Sequence, residues 1–352
     1  MKLKMLAIGS ILMGLFVSTG AISAAGLKGA PAPFDGSKKV HVALIRQMTE
    51  GEFMQTYRAG AQIQADLMGI ELTVFGKSMD NQAEANFVYQ AINMKVDGII
   101  IDHGLSETMM KPAADAIKAG IPVVAFDVDL KNEAIPQIAQ DDELLGMMAL
   151  EALVKDFGAK ANVGYVSIAG ILPLDKRDRS WQKIKKDNPG VKEIVKTGTL
   201  ESPIAAKNAD QVKAVLLSHP EINAFFAPYD ELGKGVVLAL RETGKADKAK
   251  VYTADISTQD IREMTKPNSP WAATAATNPA AIGAVSVRAI ALKIANVKVP
   301  HEILIPPKLF TAKDLKAQGI KNMKDLRAKF PAFNSVDLLT YPWIPVDTKG
   351  LF

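Results

Sequence analysis

From Lys38 onward the chain alternates short β-branched apolar runs with amphipathic stretches, and this alternation limits the fold more than any other feature. Val40–Ile45 (VHVALI), Glu71–Phe75 (ELTVF), Asp97–Asp102 (DGIIID) and Ile121–Asp127 (IPVVAFD) read as strands. Between them Thr56–Met68, Gln82–Lys95 and Thr108–Ala119 carry apolar residues at helical spacing, for example Tyr57, Ala61, Ala65 and Met68. Gly69 and Gly120 close two of these helices. Strand, helix, strand at roughly 25–30 residue spacing requires parallel pairing through helical crossovers. Ile99-Ile100-Ile101 and Val123-Val124-Ala125 are continuous runs, the pattern of strands covered on both faces.

The pattern then repeats. Glu143–Phe157, Asp178–Asn188, Ile204–Ser218 and Glu231–Thr243 read as helices. Asn162–Ile168, Glu193–Thr197, Ala224–Ala227 and Lys250–Ala254 read as strands. The fold class is therefore α/β, with two doubly wound lobes of parallel sheet. A chain of 352 residues is too long for one ordinary core, which agrees with two lobes. In open α/β sheets ligands bind beyond the C-terminal strand ends, so the space between the lobes is the expected site. After Pro306-Pro307 the pattern lapses, and Pro342 and Pro345 in YPWIP predict an extended segment packed on a surface.

Residues 1–25 read as a secretory signal peptide. Lys2 and Lys4 precede the apolar run Leu6–Val17, and small residues lead to cleavage after Ala25. A run of about 12 residues is too short to span a bilayer core that needs roughly 20. The chain has no cysteine, so it forms no disulfide and carries no lipid on a cysteine. These features predict a periplasmic protein with no membrane insertion after cleavage.

Other chemistry finds little support. No G-x-G-x-x-G follows a strand, and no G-x-S-x-G elbow or Walker loop occurs. His41, His103, His219 and His301 show no metal-ligand spacing, so no metal and no cofactor are expected. Net charge is +4 with no Lys/Arg cluster interleaved with aromatics, which gives nucleic acid no footing. An enzyme on the same fold is the less favoured alternative.

Seven segments, in order, resemble the periplasmic sugar-binding proteins of ABC transporters, in the ribose/galactose branch. They are Phe53 with Tyr57–Gln62, Val96–Ile100, Ala119–Asp127, Ile168-Ala169-Gly170 with Arg177, His219–Glu231, Asp255, and Ala273–Pro279. The resemblance spans about residues 38–306 and implies a type I periplasmic binding protein fold, with three chain crossings near Asp141, Thr277 and Pro306. It places 38–140 and 278–306 in the first lobe, and 141–277 and 307–352 in the second. It also implies a monomer that captures a sugar or polyol and passes it to an ABC permease. A sensor that presents its sugar to a chemoreceptor or sensor kinase is the alternative.

The carried-over residues suit that ligand. Sugar hydroxyls need charged or amide partners, and the flat C–H faces pack on aromatics. Phe53 is placed to stack on a ring. Asp127 and Asp255 end strands and would accept hydroxyl hydrogen bonds. Arg177, read as lying in a loop with Asp175, Lys176 and Asp178, would bridge adjacent hydroxyls. Tyr229 and Asp230 follow the AFFA strand, and Thr277 and Asn278 sit at a crossing. Val128 stands where ribose binders of the family carry Arg, so Arg46, Glu50, Asp102, His103 and Asp129 are candidates for rebuilding the site around another ligand. Trp181, four residues past Arg177, reads as core.

Overall fold

The computed structural model describes residues 26–77, 79–335 and 337–347. The signal-peptide assignment, Lys2 to Ala25, lies outside the described residues. The first half of the chain forms β1 (His41–Arg46), α1 (Glu52–Leu67), β2 (Glu71–Gly76), α2 (Asn81–Asn93), β3 (Gly98–Asp102), α3 (Ser106–Lys118), β4 (Val123–Phe126) and β5 (Gln137–Gln140). The second forms α4 (Asp142–Phe157), β6 (Ala161–Val166), α5 (Leu172–Asp187), β7 (Val191–Thr197), α6 (Ile204–Ser218), β8 (Ala224–Ala227), α7 (Asp230–Glu242), β9 (Lys250–Ala254), α8 (Thr258–Met264) and β10 (Trp271–Ala276). Then follow α9 (Pro279–Ile294), β11 (Glu302–Ile305), β12 (Lys308–Thr311), α10 (Ala312–Ala317) and α11 (Met323–Lys329).

These make two sheets, ordered β11-β5-β4-β3-β1-β2 and β12-β10-β9-β8-β6-β7. All pairings are parallel except β10 with β12. The continuous runs behave as their composition requires: β3 and β4 are buried at every residue. The chain passes between sheets after β5, after β10 and between β11 and β12. Three strands thus join the lobes, and the cleft between them can open and close about these points.

One expectation is corrected. Helix α5 begins at Leu172, not near Asp178, so Arg177 lies on a helix and not in a loop. Pro173 occupies its first turn, where a missing N–H costs nothing, and there it starts a helix instead of marking a loop. Helix α9 escaped a periodicity reading because it is buried on every face from Pro279 to Leu292. It packs on α1 at very short range. A Cβ on Gly60 would stand 2.1 Å from Ala280 O, and one on Gly283 would stand 2.1 Å from Tyr57 O.

The tail is not confined to the second lobe, although it follows the last crossing. β12 pairs with β10, and Met323 N donates to Thr258 Oγ1 at the start of α8. Phe333 still packs on Phe310 of β12, but Ser335 and the 337–347 segment reach the first lobe. Ser335 O accepts from Arg288 on α9, Trp343 packs on Phe34 at 5.2 Å, and Pro345 O accepts from Gln64 on α1 at 2.7 Å.

Candidate functional site: the interlobe cleft

The strand ends of both sheets face each other across the cleft. Three residues that directly follow strands, His103, Asp127 and Asp255, have φ of 67°, 54° and 73°. His and Asp tolerate this left-handed backbone better than most residues. All three line one interlobe cavity, with Phe53, Arg177, Tyr229, Gln140, Met48, Met54, Ile171, Pro173, Leu174 and Leu200. Its open space is about 30 Å³, room for one or two waters and too little for a larger solute with the lobes as they stand.

The second lobe supplies a charged network. Arg177 Nη1 donates to Asp255 Oδ2 at 2.8 Å and to Pro228 O at 2.7 Å. Its Nε donates to Asp142 Oδ1 at 2.9 Å. With its amide oxygen turned toward Arg177, Gln140 accepts from Nη2 at 2.8 Å and donates to Asp255 Oδ1 at 3.2 Å. Burial pushes the Asp255 and Asp142 carboxyls up, and the Arg177 guanidinium opposes it. Tyr229, the residue before α7, is held neutral by burial, and its Oη has no hydrogen-bond partner.

The first lobe supplies a second network, set by strand register. Arg46 stands opposite Asp102, and Asp102 opposite Phe126. Arg46 Nε donates to Asp102 Oδ2 at 2.6 Å, and Asp102 Oδ1 lies 2.6 Å from His103 Nδ1. Burial alone would push the His103 imidazole down; the hydrogen bond and charge of Asp102 outweigh it and hold it above the ordinary value. His103 Nε2 then stands 3.8 Å from Asp127 Oδ2. Neither Asp127 oxygen accepts a hydrogen bond, although the residue is only 3% exposed. Burial, with the like charge of Asp142, raises this carboxyl strongly. A buried carboxylate without donors is costly. Hydroxyl donors entering the cleft would satisfy it.

Of the residues singled out in the sequence, the structure brings Phe53, Asp127, Arg177, Tyr229 and Asp255 to the cavity, and His103 with them. Arg46 and Asp102 lie behind His103 and hold it. Thr277 and Asn278 are in the hinge instead. Thr277 Oγ1 meets Gln140, Asn278 caps α9, and its amide reaches Asn334 at 3.2 Å. Asp230 bonds to the N–H of Glu231 and to Lys234, Asp129 pairs with Lys131, and Glu50 reaches Ile204 N. Trp181 is core, packed on Tyr165 and Phe226. Gln140 and Asp142 carried no sequence signal beyond their place beside the Asp141 crossing. The apolar lining could not be told from core.

A larger groove of about 760 Å³ runs along the outside of the second lobe, past Asp156, Lys250, Trp271 and Lys313. Lys250 is already paired with Asp156 at 2.9 Å, and among the described residues no unpartnered buried polar group lines it. Size alone does not make it the ligand site.

Two α/β lobes joined by three crossings, with buried hydrogen-bonding groups converging on the cleft, define a solute-binding protein. The chain belongs to the periplasmic binding protein family: that domain family matches residues 42–296. It is similar to the ribose import binding protein of Escherichia coli K12, 28% identical over 70% of this chain and 82% of that protein. It is also similar to the 5-methylthioribose transporter solute-binding protein of Thermotoga lettingae, solved with 5-methylthioribose. The two are 39% identical with a TM-score of 0.85, over 87% of this chain and 97% of that one. A sugar ABC transporter structure from Yersinia enterocolitica is 30% identical with a TM-score of 0.84, over 87% and 93%. The family binds substrates for transport and does not transform them.

Proposed function

We propose that this protein captures a ribose-type sugar bearing a small apolar substituent, of the 5-methylthioribose kind, and presents it to an ABC permease. The observation that carries this reading is the mixed lining of the cavity. Asp127, His103, Arg177, Gln140 and Asp255 gather the hydrogen-bonding capacity. Met48, Met54, Ile171, Leu174 and Leu200 offer an apolar counterpart with no hydrogen-bonding side chain of its own beyond thioether sulfur. A bare pentose has hydroxyls all round and would leave some of them facing that apolar part, which costs free energy. A methylthio group would pack there, and the polarizable sulfurs of Met48 and Met54 suit it. The likeness to the Thermotoga lettingae protein supports the same ligand class.

The protein works as a monomer in the periplasm, reached by removal of the leader after Ala25. Mass spectrometry of the exported protein should give a chain starting at Gly26.

Thermal melting of the mature protein against ribose, allose, 5-methylthioribose, polyols and inositols tests the ligand class. Ligand at about 100 times its dissociation constant adds roughly 2.7 kcal/mol. The largest rise in Tm should come with 5-methylthioribose. A larger rise with an unsubstituted sugar would move the assignment to that sugar.

A further inference from the structure

Where the loop after β1 runs into α1, two carboxylates flank a glycine: Glu50 ends the loop before Gly51, and Glu52 opens the helix; neither carboxylate lines the ligand cavity. Both reach the opposite lobe. Glu52 Oε1 accepts from Thr258 N at 2.8 Å, and Oε2 accepts from Gln259 N at 3.2 Å. These are first-turn N–H groups, which have no partner inside their own helix. Glu50 Oε1 accepts from Ile204 N, the first residue of α6, at 3.4 Å. Helix α6 has no capping side chain and no acidic residue in its first turn. The anion that its positive end favours thus comes from the other lobe. Gly51, at φ +90°, sits against the second lobe: a Cβ there would stand 3.2 Å from Glu231 Oε1 and 3.3 Å from Tyr229 Oη.

We propose that Glu50 and Glu52 form a closure latch: positioning residues that set the affinity for the sugar without touching it. This rests on the reading of the protein as one that captures its ligand by closing. Each contact joins the two lobes, so it exists only when they are together. Its free energy goes into the closed state and none into the open one, where both carboxylates are hydrated. Removing Glu52, with two charge-assisted bonds, should weaken binding about tenfold, and removing Glu50, with one longer bond, about threefold. The loss should fall on the dissociation rate, because the latch engages after the ligand has docked.

The absence of cysteine makes the test direct. Glu107→Cys on α3 and Lys186→Cys on α5 are exposed, lie in different lobes and accept spin labels. Distance distributions are measured with and without 5-methylthioribose, in the labelled parent and in E50Q/E52Q. Melting curves check that both fold. Gly51→Ala, which crowds the same contact without removing charge, is the second variant. Both variants should shift toward longer distances and release the sugar faster. A distribution and a dissociation rate equal to the parent's in E50Q/E52Q would overturn the latch. A parent that responds to no sugar in the panel, beside a variant that still shifts open, would defeat the capture reading and leave the latch standing.

Discussion

Arg177 and Asp255 meet as a buried fork, Nη1 to Oδ2 at 2.8 Å and Nη2 to Oδ1 at 3.3 Å, although helix α5 brings one and the end of β9 the other. Both line the cavity, so the pair is at once part of the second lobe's structure and part of the ligand surface. Asp255→Ala should therefore fail twice. Ligand binding should weaken by roughly 2–3 kcal/mol, as when a hydrogen bond to a charged group is lost. Stability should fall by about 3 kcal/mol, because a buried guanidinium loses one partner while Asp142 keeps the other. Calorimetric titration and denaturant unfolding of the variant check the two effects separately.

Asp127 should behave in the opposite way. Its oxygens accept no hydrogen bond, and burial outweighs the nearby His103 and Arg177 and pushes its carboxyl up, so it costs the folded protein more than its neighbours return. Asp127→Asn should leave stability unchanged or raise it, and should weaken sugar binding by about 2 kcal/mol. Loss of stability with full affinity would show that the residue is structural.

Glu84 on α2, behind the His103–Gly104 turn, provides a pH test. Both its oxygens are buried without partners, and burial, with the charge of Asp102, pushes it up to about 9. A carboxyl raised in the folded state binds a proton that the unfolded chain releases above about 4.5. The stability it allows is thus complete below that pH and is lost as pH rises toward about 9. Glu84→Gln carries no such proton. Its stability relative to the wild type should grow between those limits, by at most about 1.4 kcal/mol per pH unit. Unfolding curves of the two proteins at pH 5 and pH 8.5 check this; a difference that does not change with pH would contradict it.

The tail is tested at Trp343, 8% exposed and packed on Phe34. Trp343→Ala should cost about 3 kcal/mol, the range for truncating a buried aromatic residue. Tm should fall by a few degrees or more for a chain of this size. An unchanged melting curve would mean that the 337–347 segment does not bear on the stability of the first lobe.

The lobes were legible because buried parallel strands need continuous apolar runs, and β3 and β4 have them. The family resemblance singled out Asp127 and Asp255, and the strand-end rule agreed with it. Arg177 was legible as a residue and misplaced as a loop, because Pro173 at a helix start and Pro in a loop look alike. Helix α9 has no polar face, so it has no period to detect. Short strands such as β5, β11 and β12, four residues each, offer too few positions for a pattern. Met48, Met54 and Leu174 line the cavity, but a side chain that lines an apolar pocket has the chemistry of one in a core. Nothing local marks Glu52 as a contact residue, because its partner Thr258 lies 206 residues away.

The central claim is that the cleft reads both halves of its ligand. Calorimetric titration of ligand-free mature protein with 5-methylthioribose and with ribose, side by side, tests it most directly. The account predicts that 5-methylthioribose binds more tightly by roughly 10–200-fold, the range for one small apolar group in a fitted pocket. Equal affinities, or tighter binding of ribose, would contradict it.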